Sequence, residues 1–223
     1  MSQVAERQRL VAGPSVDVLA SSSQDMARLR LDLTDPNDVV FLWWAFYTFG
    51  LEHVHVGPPC AFFSQLGRFT AKRTAEEWYA LRNVALHHLR LGIRVMRWQD
   101  SQGRTGSLEQ PPRCISWELA PMVALLARVG WRTYEWPSCV YGHRDLGNGR
   151  PYLKKQRFTL NFDLSLMQDR KCLCPAGGHQ RVEGVVGSGP RKGARRSIVS
   201  GEYLVAMCER LVGILKDHSL GSP

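Results

Sequence analysis

The residues best suited to chemistry lie in one short stretch. His53-Val54-His55-Val56 alternates β-branched residues, Gly57-Pro58-Pro59 follows, and Cys60 comes next, ahead of Ala61-Phe62-Phe63-Ser64. Two adjacent prolines can neither continue a sheet nor enter a helix interior, so the strand must stop at Gly57. The loop they form is stiff and holds Cys60 at the strand's carboxyl end. In open α/β sheets that end is where ligands bind. A thiol on a rigid loop there is a candidate nucleophile. A second constellation is Cys172-x-Cys174 with His179, residue types that ligate zinc. A structural zinc wants four ligands. Only three are local, and Cys208 or Cys139 would have to fold in as the fourth, so zinc is not expected.

The elements that must position Cys60 follow from local signals. Val16–Ala20 and Arg28–Leu33 read as strands. Asp35-Pro36 is a helix start, an acid at the N-cap and proline in the first turn, and the helix runs over about 37–48 until Gly50 closes it. Strand, helix and then the strand into Cys60 make a βαβ unit, so a parallel sheet is expected. Thr74 with Glu77 reads as a capping box opening a long helix over about 75–98. Residues 107–109 form a short strand stopped by Pro111-Pro112. A helix is expected over 117–129, strands over 133–140 and 156–162, and a last amphipathic helix over 202–217. Residues 1–13 read as a lead-in, 14–217 as one α/β domain in which 163–200 is a basic, loop-rich insertion, and 218–223 as a tail.

Composition bounds the class. The 223 residues are 44% hydrophobic, ordinary for a globular chain. No apolar run is long enough to span a membrane and Met1–Arg9 lacks the apolar core of a secretory signal, so no membrane association is expected. Six scattered cysteines without a signal fit an intracellular, reducing compartment. The net charge is +9, and twelve Lys/Arg against four acids fall between Arg144 and Arg196. A basic half on a near-neutral half points to a polyanion partner, most commonly nucleic acid, DNA or RNA, with Lys154, Lys155, Arg191, Lys192, Arg195 and Arg196 as candidate contacts.

The stretch Gly57-Pro58-Pro59-Cys60-x-x-Phe63-Ser64 resembles the catalytic loop of cytosine-5 DNA methyltransferases. The resemblance is closer to a divergent group of these domains found in retroelement-type polyproteins and in expanded gene sets of unicellular eukaryotes. Its ordered landmarks here are Asp32-Leu33-Thr34, Pro58-Pro59-Cys60, Glu109-Gln110-Pro111 and Cys139-Val140-Tyr141-Gly142. Cys172, Cys174, His179 and Gly184 follow, then Glu202-Tyr203; together they cover about residues 14–215. The resemblance implies a Rossmann-like, S-adenosylmethionine-dependent methyltransferase fold, a mostly parallel sheet with flanking helices, and a nuclear location.

It also implies roles. Cytosine carbon 6 accepts a thiolate only while an acid hydrogen-bonds ring nitrogen 3, after which carbon 5 becomes nucleophilic. Cys60 would be the nucleophile and Glu109, 49 residues later, the acid, with Gln110 where the family has asparagine. Arg157, in Lys154-Lys155-Gln156-Arg157, would contact the base, although the second arginine of the family's motif is missing. Asp32, Pro58 and Ser64 would face the cofactor. The family's Gly-rich cofactor loop has no counterpart before Val16, so the chain reads as N-terminally truncated, and Ser21 stands where a ribose-binding acid is expected. The expected function is a DNA cytosine-5 methyltransferase-like protein, an enzyme if the cofactor pocket survives. The alternative is a non-enzymatic nucleic-acid-binding remnant that uses the basic C-terminal half. Oligomeric state is left open.

Overall fold

A computed structural model describes residues 15–16, 28–29, 31–63, 74–145, 147–152, 154–182, 187, 192 and 205–220. Its elements are β1 (Ser15–Val16), β2 (Arg28–Leu29), α1 (Pro36–Phe49), β3 (His53–Val56), α2 (Ala75–Ser101), β4 (Thr105–Gln110), α3 (Ala120–Leu126), β5 (Arg132–Pro137), β6 (Lys155–Leu160) and α4 (Val205–Leu220). The architecture is α/β. β1 and β2 form a parallel pair, and a separate four-stranded sheet has the order β3-β4-β6-β5. The chain divides into two compact units. One holds the described residues of Gly13–Thr133 and Phe158–Phe162, the other those of Tyr134–Arg157 and Asp163–Pro223, so β5 and β6 contribute to both.

In the first unit the helix ends form as their sequences dictate. The Asp35 carboxylate accepts the Asn37 N–H at 2.8 Å, and Gly50 ends α1 in the left-handed region at φ 57°. Thr74 and Glu77 form the full capping box of α2. The two helices meet through aromatics: Trp98 stacks on Phe46 at 5.9 Å and takes the edge of Trp43. Leu42, Phe46, Leu89, Ile93, Met96, Leu108, Met122 and Leu125 fill the core.

β3 and β4 pair in parallel, from His53 opposite Thr105 to Val56 opposite Leu108, with α2 as the crossover. Two glycines set the spacing. A Cβ on Gly92 of α2 would lie 2.7 Å from Val56 Cγ1, and one on Gly106 of β4 would lie 2.9 Å from Met96 Sδ. Only a bare backbone lets α2 lie this close to β3 and β4.

Several expectations are corrected. The four-stranded sheet is mixed rather than mostly parallel. β6 follows β5 without an intervening α-helix, and a parallel return needs a long crossover, usually helical. The βαβ unit expected around α1 does not form one sheet, because β2 pairs with β1 whereas β3 pairs with β4. Residues 31–35 turn instead of continuing a strand, since Asp32 accepts from Thr34 and the Asp35 N–H bonds the Asp32 carbonyl. The helix expected over 117–129 is a 3₁₀ turn, Ile115–Glu118, followed by α3, because Pro121 fits only a helix's first turn. β5 ends at Pro137, not Val140, and Ser138–Tyr141 is a 3₁₀ turn. The strand expected over 17–20 and the start of the last helix lie outside the described residues.

In the second unit Trp136, Tyr141, Tyr152, Leu164, Met167, Met207, Cys208 and Leu211 are buried. The Gly-rich loop after β5 is ordered by two charges. The buried Asp145 carboxylate accepts from the Gly147 and Asn148 amides and from the Tyr152 hydroxyl, at 2.8, 3.1 and 3.1 Å. Arg150 donates to the carbonyls of Gly177, Gly178 and His179.

Candidate functional site

Cys60 and Glu109 both belong to the first unit, at the carboxyl ends of adjacent parallel strands. Glu109 follows the last ladder pair on β4, and Cys60 lies four residues past it on the β3 side. The link between them is Gln110. Its buried amide donates from Nε2 to the Pro58 carbonyl at 2.6 Å. Its Oε1 accepts from Cys114 Sγ at 3.2 Å and Ser116 Oγ at 3.3 Å. One side chain therefore fastens the Gly-Pro-Pro loop to the end of β4 and to the turn beyond it. The Cys60 carbonyl accepts the Phe63 N–H, and the Phe63 carbonyl accepts the Ile115 N–H, at 3.0 Å each. Cys60 and Glu109 are half-buried.

Cys114 is a second thiol close to this site, but it is held protonated. Burial pushes its thiol up, Glu109's charge adds to the push, and hydrogen bonds with Ser116 oppose it. Its role is to donate to Gln110.

β3 and β4 also carry a polar ladder. His53 Nδ1 lies 3.0 Å from Thr105 Oγ1, His55 Nδ1 lies 2.9 Å from Ser107 Oγ, and Ser107 Oγ is 3.2 Å from His53 Nε2. Burial brings His53 down to about 3 and His55 down to about 4, with repulsion from His55 a smaller cause at His53. Both are neutral at physiological pH. They stiffen the strand that leads to Cys60.

S-adenosylmethionine, expected from the resemblance, finds only part of a site. The exposed Asp32 carboxylate is held ionised by the Thr34 hydroxyl and amide, at 2.7 and 2.9 Å, and could accept from an exocyclic amine. The Pro58 carbonyl is already taken by Gln110. Ser64 lies outside the described residues. One acceptor is not a pocket, and the described residues do not fit the whole cofactor.

Arg157 lies in the second unit, half-buried on β6. Its guanidinium pairs with Glu135 of β5, Nε donating to Oε1 at 2.6 Å. Of the basic candidates, Lys154 is half-buried, Lys155 and Lys192 are exposed, and Arg191, Arg195 and Arg196 lie outside the described residues. Lys154 and Lys155 line a cavity of about 330 Å³ with Pro137, Tyr152, Cys172 and His179. Cys172, Cys174 and His179 come together, and Cys139 joins them. Burial and the neighbouring thiols push Cys139 up to about 12, while hydrogen bonds lower Cys172.

Two features escaped sequence reasoning. One is the fastening role of Gln110, Cys114 and Ser116. The other is a basic groove of about 500 Å³ in the first unit, lined by His87, Arg90, Arg94 and Arg97 of α2 with Ile93 and Pro121. The 3-4-3 spacing from His87 to Arg97 is a helical-face signal readable in the sequence. A charge count over the whole first half conceals it. No family model matches the chain, and no curated protein matches it.

Proposed function

We propose that this chain is a Rossmann-like domain of the cytosine-5 DNA methyltransferase type, with Cys60 as the base-attacking nucleophile and Glu109 as its acid. The observation that carries the reading is the 2.6 Å bond from Gln110 Nε2 to the Pro58 carbonyl across the ends of the parallel strands β3 and β4. It holds the cysteine loop and the glutamate strand in one register, as this chemistry needs. The parallel β3–β4 pair, with α2 as its crossover helix, supports the same reading.

In this reading a flipped-out cytosine enters between Cys60 and Glu109. The Cys60 thiolate forms a bond to carbon 6. The carbon 5–carbon 6 π electrons shift through the ring, and nitrogen 3 takes a proton from the Glu109 carboxyl. Carbon 5 is then electron-rich. Reversal returns the proton and expels the thiolate. The family's methyl donor, S-adenosylmethionine, is tested separately by calorimetric titration.

The decisive experiment uses an oligonucleotide with 2-pyrimidinone in place of cytosine, whose carbon 6 takes a thiol readily. A denaturing gel should show a covalent adduct with the wild-type chain and none with Cys60→Ser. Glu109→Gln should lower the yield by about 10²-fold or more, the usual weight of a general acid. Failure of the wild-type chain to form an adduct, or an adduct that survives Cys60→Ser, overturns the reading.

The arginine groove favours a second, non-enzymatic reading. Exposed Arg90, Arg94 and Arg97 on one helix face suit a phosphate backbone. Salt-sensitive binding of DNA or RNA that is indifferent to Cys60 is its signature.

A further inference from the structure

We propose that Cys139, Cys172, Cys174 and His179 bind one zinc ion in a closed, four-ligand site that holds the 172–179 loop against the turn after β5. Each residue offers one ligand atom, and the four atoms lie within 4.8 Å of one another. Cys139 Sγ and Cys172 Sγ are 3.4 Å apart, and Cys172 Sγ is 3.3 Å from His179 Nε2. A tetrahedral ion with bonds near 2.3 Å to sulfur spaces its sulfurs about 3.8 Å apart, so a small outward relaxation admits the metal. Three thiolates and an imidazole are a donor set that selects zinc over magnesium or calcium. None of these cysteines is in a disulfide.

Apolar burial does not account for this loop. Leu173, its one large apolar side chain, is 92% exposed, and no helix or strand runs through Cys172–His179. The backbone is shaped to return His179 to the cysteines. Gly177 sits at φ 72°, and a Cβ on Gly178 would lie 2.9 Å from the Pro175 carbonyl oxygen. The Gly178 N–H donates to that carbonyl at 2.8 Å. Arg150 then gathers the backbone carbonyls of Gly177, Gly178 and His179 and so fixes the loop that carries the imidazole.

Binding releases the thiol protons to solvent and leaves Zn²⁺ with three sulfur bonds and one nitrogen bond, without change of oxidation state. All four positions are filled by protein, so the ion is structural rather than catalytic. Cys172 and His179 also line the cavity of Lys154 and Lys155, so the ion fixes one wall of that basic cavity.

The test is metal analysis of the full chain purified without chelator, followed by cobalt titration of the metal-free protein. One zinc per chain is expected. Cobalt should give the visible bands of a tetrahedral site and thiolate charge-transfer bands in the near ultraviolet. Cys172→Ser and His179→Ala should weaken cobalt binding by more than about 100-fold, beyond the 10–100-fold typical of outer-shell changes. Cys208→Ala, in α4, should leave it unchanged. The wild-type spectrum is informative even if a variant fails to fold. Absence of both zinc and the cobalt bands overturns the proposal. So does a Cys139–Cys172 disulfide in freshly purified protein, or an equal loss on Cys208→Ala.

Discussion

Gln110 and Pro58, 52 residues apart in sequence, are joined by a 2.6 Å hydrogen bond from the glutamine amide to the proline carbonyl. Both groups are buried. Gln110→Leu would strand the Pro58 carbonyl and remove the acceptor shared by Cys114 and Ser116, which still hydrogen-bond each other. A buried polar group stranded in this way costs about 1–3 kcal/mol. A loss of about 1–3 kcal/mol in urea denaturation is expected. Gln110→Asn, one methylene shorter, should recover only part of it. A loss below about 1 kcal/mol for the leucine variant would show that the bond does not fasten the loop.

Gly92 tests the approach of α2 to β3. In an open helix Gly→Ala stabilises by about 1 kcal/mol. Here the new Cβ meets Val56 Cγ1 at 2.7 Å, and overpacking typically costs about 1–3 kcal/mol. Gly92→Ala should therefore destabilise. Combined with Val56→Ala, which removes the opposing methyl, it should be less harmful than in the wild-type background. A strictly additive double-mutant cycle would contradict this close approach.

The histidine ladder makes stability fall in mild acid. His53 and His55 are depressed to about 3 and about 4 from 6.5. Below pH 6.5 the unfolded chain takes up protons that the folded chain refuses. Their contribution is complete above pH 6.5 and is lost as pH falls toward about 4 for His55 and about 3 for His53, at up to about 1.4 kcal/mol per pH unit for each histidine. Urea midpoints measured from pH 7.5 to 4.5 check this. The His53→Asn/His55→Asn double variant should show a shallower decline over the same range, and a flat wild-type profile there would refute the assignment.

The groove on α2 predicts a salt signature. Arg90→Ala/Arg94→Ala/Arg97→Ala should reduce the slope of log affinity against log salt for duplex DNA by about 2.7, near 0.9 for each phosphate no longer neutralised. Fluorescence anisotropy between about 50 and 200 mM salt measures it. An unchanged slope would assign nucleic-acid binding to other residues.

What the sequence made legible was local. The caps at Asp35, Gly50, Thr74 and Glu77 form as read, because a cap is decided within four residues. Pro121 and Pro137 moved the ends of a helix and a strand for equally local reasons that apolar spacing had masked. Pairing was different: β3 takes its partner from residues 105–108, across a whole helix, and the alternation of His53–Val56 carries no information about that choice. The same holds for the thiols. Cys172, Cys174 and His179 were legible as a trio, but Cys139 lies 33 residues upstream of Cys172, and spacing alone could not choose between it and Cys208. Glu109 and Cys60 were read in order along the chain. Their common anchor, the two ends of the Gln110 amide, becomes visible only when both strand ends are in view.

The paired prolines before Cys60 bear on when order is acquired. Each ring confines φ to near −65° in the unfolded chain as well as in the folded one, so the loop gives up little conformational entropy on folding. Gln110 immobilises what freedom is left. The loop is therefore ordered before any ligand arrives. Capture of a planar base would draw on a surface already at rest, and its affinity would not be reduced by the ordering of a mobile loop.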